Sequence, residues 1–124
     1  MIRLNVDLTS PVPAYLQVIQ ALKLEILSGR LSDGDRLPPI RELAKILKLN
    51  PNTVAKSYYA LEKEGFIESR PGSGNWVKTR ASDLDNLRKS LIEGETNAYL
   101  EKAFSLGASL EDIRQSIERI TRHE

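Results

Sequence analysis

The residues of this chain best placed to do chemistry are amides, hydroxyls and cations clustered between positions 41 and 74. Asn50-Pro51-Asn52-Thr53 reads as a helix start: an amide cap, then a proline at the first helical position, where its missing N–H costs nothing. The first turn of such a helix carries a positive dipole end and unpaired backbone N–H groups, both favourable towards phosphate or base acceptors. Asn pairs bidentately with adenine N6/N7, and a Thr methyl can touch a thymine methyl. At 100° per residue Val54, Ser57, Tyr58 and Leu61 fall on one side of the helix, and Asn52, Lys56, Tyr59 and Lys63 fall opposite. Asn52, Thr53 and Lys56 are therefore read as contacts to a DNA groove. For Asn50, capping and DNA contact are both open, and capping alone is the competing role for Thr53.

Two further groups extend that face. Arg41 lies one turn into the preceding helix, which crosses the DNA backbone in helix-turn-helix docking, so it can meet a phosphate or a base edge. A surface pair involving Glu42 is the bland alternative, and such pairs contribute little. Arg70-Pro71-Gly72-Ser73-Gly74 is a hairpin tip by its turn residues. Gly72 and Gly74 allow a sharp turn and close backbone approach to phosphate, with Ser73 between them and Arg70 and Lys78 adding charge. A plain surface hairpin is the competing reading. Trp76, Tyr15 and Tyr58 are assigned to the core, and Tyr59 to the DNA side.

Catalytic chemistry has little to work with. The single histidine, His123, is the penultimate residue, so no His-based triad or His-rich metal site can be built. There is no GxxxxGK[ST] loop, no GxGxxG and no nucleophile elbow, and there is no cysteine for a zinc finger or disulfide framework. No enzyme activity, cofactor or metal is expected.

The elements that must position these residues follow from periodicity. Pro11 and Pro13 leave residues 1–12 as an extended arm. Tyr15, Val18, Ile19, Leu22, Ile26 and Leu27 make one helical stripe, stopped at Gly29, and residues 30–36 form a turn by composition. A helix opening at Pro39 buries Ile40, Leu43, Ala44 and Leu47, and the helix from Pro51 runs to about Glu64 before Gly65. Phe66 to Ser69 and Asn75 to Lys78 flank the hairpin tip as short strands. Behind them, Ser82 with Asp85 resembles a helix cap, followed by Leu84, Leu87, Leu91, Ala98 and Ala103, with Gly94 a break. Ser109 with Asp112 repeats the cap before a stripe of Leu110, Ile113, Ile117 and Ile120. Two helices are too little to bury a core of their own, so their apolar faces need a partner.

Bulk properties agree. The chain has 124 residues, 40% hydrophobic and 28% charged, the composition of an ordinary globular protein. Its net charge of +1 hides an asymmetry: residues 1–80 hold 12 Lys/Arg against 8 Asp/Glu (+4), and residues 81–124 hold 6 against 9 (−3). A basic front and acidic back fit a front that meets a polyanion and a back that meets protein. No apolar run approaches the roughly 20 residues of a membrane span, and the N-terminus lacks a signal-peptide core. A cytoplasmic protein without membrane contact is expected.

The stretch from Pro13 to Lys78 resembles the DNA-binding domain of GntR-type transcription regulators. The likeness rests on Tyr15-Leu16-Gln17, on Gly29-Arg30-Leu31 with Gly34-Asp35-Arg36-Leu37-Pro38, on Arg41-Glu42-Leu43-Ala44, and on Leu61-Glu62-Lys63-Glu64-Gly65. Where much of that family has arginines entering the recognition helix, Pro51 and Ala55 stand here, and Asn50-Pro51-Asn52-Thr53-Val54 looks like the YtrA-type and MocR-type branches. Only 44 residues follow Arg80, a length similar to the YtrA-type tail. The resemblance implies a homodimeric regulator, commonly a repressor, often of operons for membrane transporters, with the tail serving dimerisation.

The expected architecture is mainly α with a small β-wing: a winged helix-turn-helix over 1–80 and a two-helix dimerisation tail over 81–124. The expected partners are a second copy of the chain and a pseudo-palindromic double-stranded DNA operator. A winged-helix protein-interaction module without DNA binding is the alternative. The sequence leaves any small-molecule effector unassigned.

Overall fold

A computed structural model describes residues 4–122. Met1, Ile2, Arg3 and His123 therefore lie outside the described residues, with the first part of the expected arm. In chain order the elements are α1 (Ala14–Leu27), α2 (Ile40–Leu47), α3 (Pro51–Lys63), β1 (Ile67–Arg70), β2 (Gly74–Val77), α4 (Ala81–Ser105) and α5 (Leu110–Thr121). They fall into two compact units, Met1–Leu84 and Asp85–Glu124. No helix among the described residues is long and apolar enough to cross a membrane.

The first unit is built on the predicted stripes. Val18, Ile19, Leu22 and Ile26 of α1, Leu43 and Ala44 of α2, and Val54, Tyr58 and Leu61 of α3 bury together with Leu31, Leu37, Ile67 and Val77. Burying one such aliphatic side chain contributes about 1.5–3 kcal/mol, so this cluster is the stabilising centre of the unit. Leu84, in the first turn of α4, packs against the same cluster. Between α2 and α3, Lys48 turns the chain in the left-handed conformation (φ 58°), and Leu49 donates its N–H back to the Ala44 carbonyl at 2.9 Å.

Several local expectations are corrected. The described part of the arm is not extended throughout: Asp7 and Thr9 close a turn, and Gln17 ties it to α1. The Gln17 amide accepts from the Asp7 N–H at 2.8 Å and donates to the Asp7 and Val12 carbonyls at 2.9 Å each. Pro39 is the N-cap of α2 rather than its first residue. The strands are each shifted by one position towards the tip, because Arg70 pairs with Gly74 and leaves only three residues between them. Residues 30–36 are more than a turn, since Arg36 bridges Trp76 in antiparallel fashion.

α4 begins in the last residues of the first unit and runs unbroken through Gly94 in the second, 25 residues in all. One glycine costs a helix interior only about 0.5–1 kcal/mol, too little to interrupt so long a run. Ser82 does not cap this helix. The Leu84 N–H already bonds to the Arg80 carbonyl at 3.1 Å, which starts the helical ladder earlier and places Ser82 inside it. The second cap is formed as expected: the Asp112 N–H donates to Ser109 Oγ at 3.1 Å, and the Ser109 N–H donates to Asp112 Oδ2 at 2.8 Å. Those bonds hold the Asp112 carboxyl below the usual carboxylate range. Within this unit Ala103 and Ile113 are buried, while Leu110, Ile117 and Ile120 of the predicted stripe stay exposed.

Candidate nucleic-acid interface

The rotation of α3 is set by what it buries. Val54, Ser57, Tyr58 and Leu61 all point inward, as their spacing predicts. The Ser57 hydroxyl lies 2.9 Å from the Tyr15 carbonyl and 3.1 Å from the Thr53 carbonyl, which ties α3 to α1. The Tyr58 hydroxyl donates to the Pro38 carbonyl at 2.7 Å, just before α2 begins. Burial, helped by the negative charge of Glu42, pushes that phenol up, so it stays a neutral donor. Together these bonds orient the helix that carries Arg41 and the helix that carries Asn52.

The opposite face of α3 is then exposed by necessity. Asn52, Lys56, Tyr59 and Lys63 all face solvent, and Thr53 is half-buried. Lys56 Nζ sits 3.9 Å from the centre of the Tyr15 ring, and Lys63 Nζ lies 4.8 Å from the centre of Tyr59. Both ammonium groups are thereby steadied by ring faces and stay on the surface. Arg41 is exposed on α2 and forms no ion pair among the described residues.

The start of α3 corrects one expectation. Its first-turn donors are not left unpaired: Asn50 Oδ1 accepts from the Asn52 N–H at 2.8 Å, and the Asn50 carbonyl accepts from the Thr53 N–H at 2.9 Å. Pro51 has no donor to offer. Backbone N–H groups of this turn are thus committed within the helix, and only side chains are left to offer hydrogen bonds outward. Asn50 is a cap by geometry, whereas the side-chain amide of Asn52 makes no hydrogen bond among the described residues.

The wing is fastened to α3 at its base. The Ser69 N–H donates to Glu62 Oε2 at 2.7 Å, and the Lys78 N–H donates to the Phe66 carbonyl at 3.0 Å. At the tip the Ser73 N–H bonds back to the Arg70 carbonyl at 2.9 Å around Pro71-Gly72. Gly72 has φ 75°, the conformation that the third position of a type II turn requires. Gly72 and Ser73 are exposed, so the tip presents backbone to solvent. Arg70 and Lys78 both lie beside Glu68, at 3.5 and 3.7 Å.

Trp76 is not a core residue. Its neighbour Val77 pairs with Ile67 on the buried face, so alternation turns Trp76 to the other face with Glu68. There its ring lies against Arg70 and Arg36. The sequence marks Arg36 only as part of the family likeness and not as a DNA contact. Its partner is forty positions away, and no local pattern announces such a pairing.

Every residue proposed for DNA contact lies in the first unit, on α2, on α3 and its N-cap, or on the hairpin. Comparison with known proteins places that unit. The profile of bacterial regulatory proteins of the gntR family matches residues 14–77. The HTH-type transcriptional repressor YtrA of Bacillus subtilis (strain 168) is 36% identical over 125 residues, 95% of this chain and 92% of that protein. A GntR family transcriptional regulator from Listeria monocytogenes superposes with a TM-score of 0.80 at 26% identity, covering 89% of this chain and 96% of that one. AraR(DBD) in complex with operator ORX1 superposes with a TM-score of 0.56 at 25% identity, covering 60% of this chain and 96% of that one. The chain belongs to the GntR family, in its YtrA-type branch, and is a DNA-binding winged helix-turn-helix transcription regulator.

Proposed function

We propose that this regulator is a cytoplasmic repressor that binds a pseudo-palindromic operator as a homodimer. The observation that carries the reading is the exposed face of α3, where Asn52 and Lys56 stand opposite a fully buried stripe and half-buried Thr53 lies at its margin. Asn52 reads a base edge, Thr53 adds an apolar contact, and Lys56 and Arg41 meet phosphate or the groove edge. Asn50 holds the start of the helix in place and presents its remaining amide nitrogen to the same surface. Arg70 and the Gly72-Ser73-Gly74 tip follow the neighbouring backbone. Residues 1–80 supply this contact and 81–124 the dimer contact. Repression is supported by the name of the Bacillus subtilis relative, and operator binding by the AraR complex.

Dimerisation is supported by the second unit. Leu110, Ile117 and Ile120 of α5 are 52, 51 and 66% exposed, and Leu106 just before it is 86% exposed. Such a row of aliphatic side chains on a short helix is stabilised by a partner surface. A dimer reads two half-sites at once, which strengthens binding by about 10²–10⁴ through effective concentration. No small-molecule effector is assigned.

Selection of bound duplexes from a random pool, with sedimentation of the free protein, tests the reading. The selected sites should form an inverted repeat whose halves are spaced by about one helical turn, or a multiple of it, and the free chain should sediment as a dimer. A pool that yields no common sequence, together with a protein complex indifferent to salt and DNA, would favour a protein-interaction module instead.

A further inference from the structure

The wing is a two-stranded ribbon, and a segment from far away in the chain is bridged to its free edge. The Leu37 N–H donates to the Asn75 carbonyl, the Val77 N–H to the Asp35 carbonyl and the Gly34 N–H to the Val77 carbonyl, each at 2.8 Å. These bonds lay residues 34–37 along one edge of β2, while β1 holds the other. Arg36 is carried in this way onto the face of the ribbon that Trp76 occupies.

On that face the Trp76 ring gathers two guanidinium groups. Arg70 Cζ lies 5.0 Å and Arg36 Cζ 5.9 Å from the ring centre. Gly74 makes the space: a Cβ there would come within 3.0 Å of Arg36 Nε and 3.1 Å of Nη2, and Gly74 itself has φ 111°. Trp76 Nε1 is buried without a hydrogen-bond partner among the described residues, so packing and the two cations hold the ring in place. Glu68 is the carboxylate within ion-pair reach of Arg70, and it is shared with Lys78. Arg36 makes no ion pair among the described residues. The cluster therefore holds three cations against one carboxylate, and two guanidiniums share one ring. An anion between them relieves that repulsion, and a stacked guanidinium still offers its planar N–H edge to a phosphate.

We propose that Arg36 is a further DNA-contacting residue of the wing, held with Arg70 over Trp76 so that both donate to backbone phosphates of the bound duplex. The assignment rests on the DNA-binding reading above and adds a residue to it. Arg36 positions the duplex and carries no sequence information, because a phosphate contact is blind to the base. Trp76 and Gly74 are positioning residues: one supports the guanidiniums, and the other leaves room for them.

The test uses the full-length chain and a duplex of about 30 base pairs, long enough for two half-sites, selected by the wild-type protein. Affinity is measured across a salt series. Arg36→Gln should flatten the plot of log affinity against log salt by about 1.8, one released counterion at each of the two half-sites a dimer occupies, and weaken all duplexes alike. Arg36→Lys should restore the slope while recovering only part of the affinity, since the charge returns without the planar fork. Trp76→Leu should not change the slope further once both arginines are replaced. Emission of Trp76, the single tryptophan of the chain, reports whether the wing keeps its packing in the arginine variants. A wild-type slope in Arg36→Gln, with or without a lower melting temperature, would overturn the assignment and make Arg36 a structural brace. A wild-type chain that binds no duplex would overturn the DNA-binding reading itself, and this assignment with it.

Discussion

Asn50→Ala separates the architecture of the recognition helix from its chemistry. Asn50 Oδ1 accepts the Asn52 N–H at 2.8 Å, and Pro51 between them has no donor. The substitution strips the cap and leaves the Asn52 N–H to water, since both residues are exposed. Losing such a cap costs about 0.5–2 kcal/mol, typically near 1. The winged unit spans Met1–Leu84; for a domain of roughly 60–100 residues, 1 kcal/mol lowers the melting temperature by about 4–8 °C. Asn50→Ser keeps a capping oxygen at the same place and should recover most of that loss. Thermal melts followed by circular dichroism read both variants. Because Asn50→Ser retains the cap, any operator affinity it loses belongs to the amide nitrogen. An Asn50→Ala melt equal to wild type, or an Asn50→Ser melt as low as Asn50→Ala, would refute the capping argument.

Three other perturbations separate fold from recognition. Arg41→Ala should weaken operator binding by about 1–3 kcal/mol in an anisotropy titration, the scale of one good base contact. Its melting temperature should stay nearly unchanged, because Arg41 is exposed and unpaired among the described residues. Tyr58→Phe leaves the half-buried Pro38 carbonyl without its 2.7 Å donor and should destabilise the domain by about 0.5–1.5 kcal/mol in urea denaturation. The Asp112 carboxyl is held down by its bonds to Ser109, so the second cap stabilises α5 fully above the ordinary carboxylate pKa. That contribution is lost as pH falls through the depressed value; Asp112→Asn should remove this acid-side fall in helical ellipticity.

The buried side of α3 was legible because a helix repeats every 3.6 residues, and Val54, Ser57, Tyr58 and Leu61 keep that interval. The cap at Ser109 was legible for a similar reason, since both partners lie three residues apart. What escaped the sequence depends on contacts between distant positions. Nothing near Arg36 says that it will pair with Trp76, and without that bridge an aromatic beside Val77 looks like core. Tyr58 was readable as buried, but its bond to the Pro38 carbonyl was not. Ser82 failed as a cap because Leu84 reaches the winged core and α4 starts two residues earlier than the Ser-Asp pattern implies. The free N–H groups expected at the start of α3 were a rule about isolated helices, and Asn50 had already satisfied them.

The central claim is that the exposed start of α3 reads base sequence. It is tested most directly by the ratio of affinities for the selected operator and for a scrambled duplex of equal length, measured at one salt concentration in wild type and Asn52→Ala. A specific regulator should hold a wild-type ratio of about 10³ or more. Asn52→Ala should cut that ratio roughly tenfold or more while leaving the scrambled-duplex affinity as it was, since one good bidentate pair discriminates by about 1–3 kcal/mol. A wild-type ratio near one, or a ratio that Asn52→Ala leaves untouched, would contradict the account.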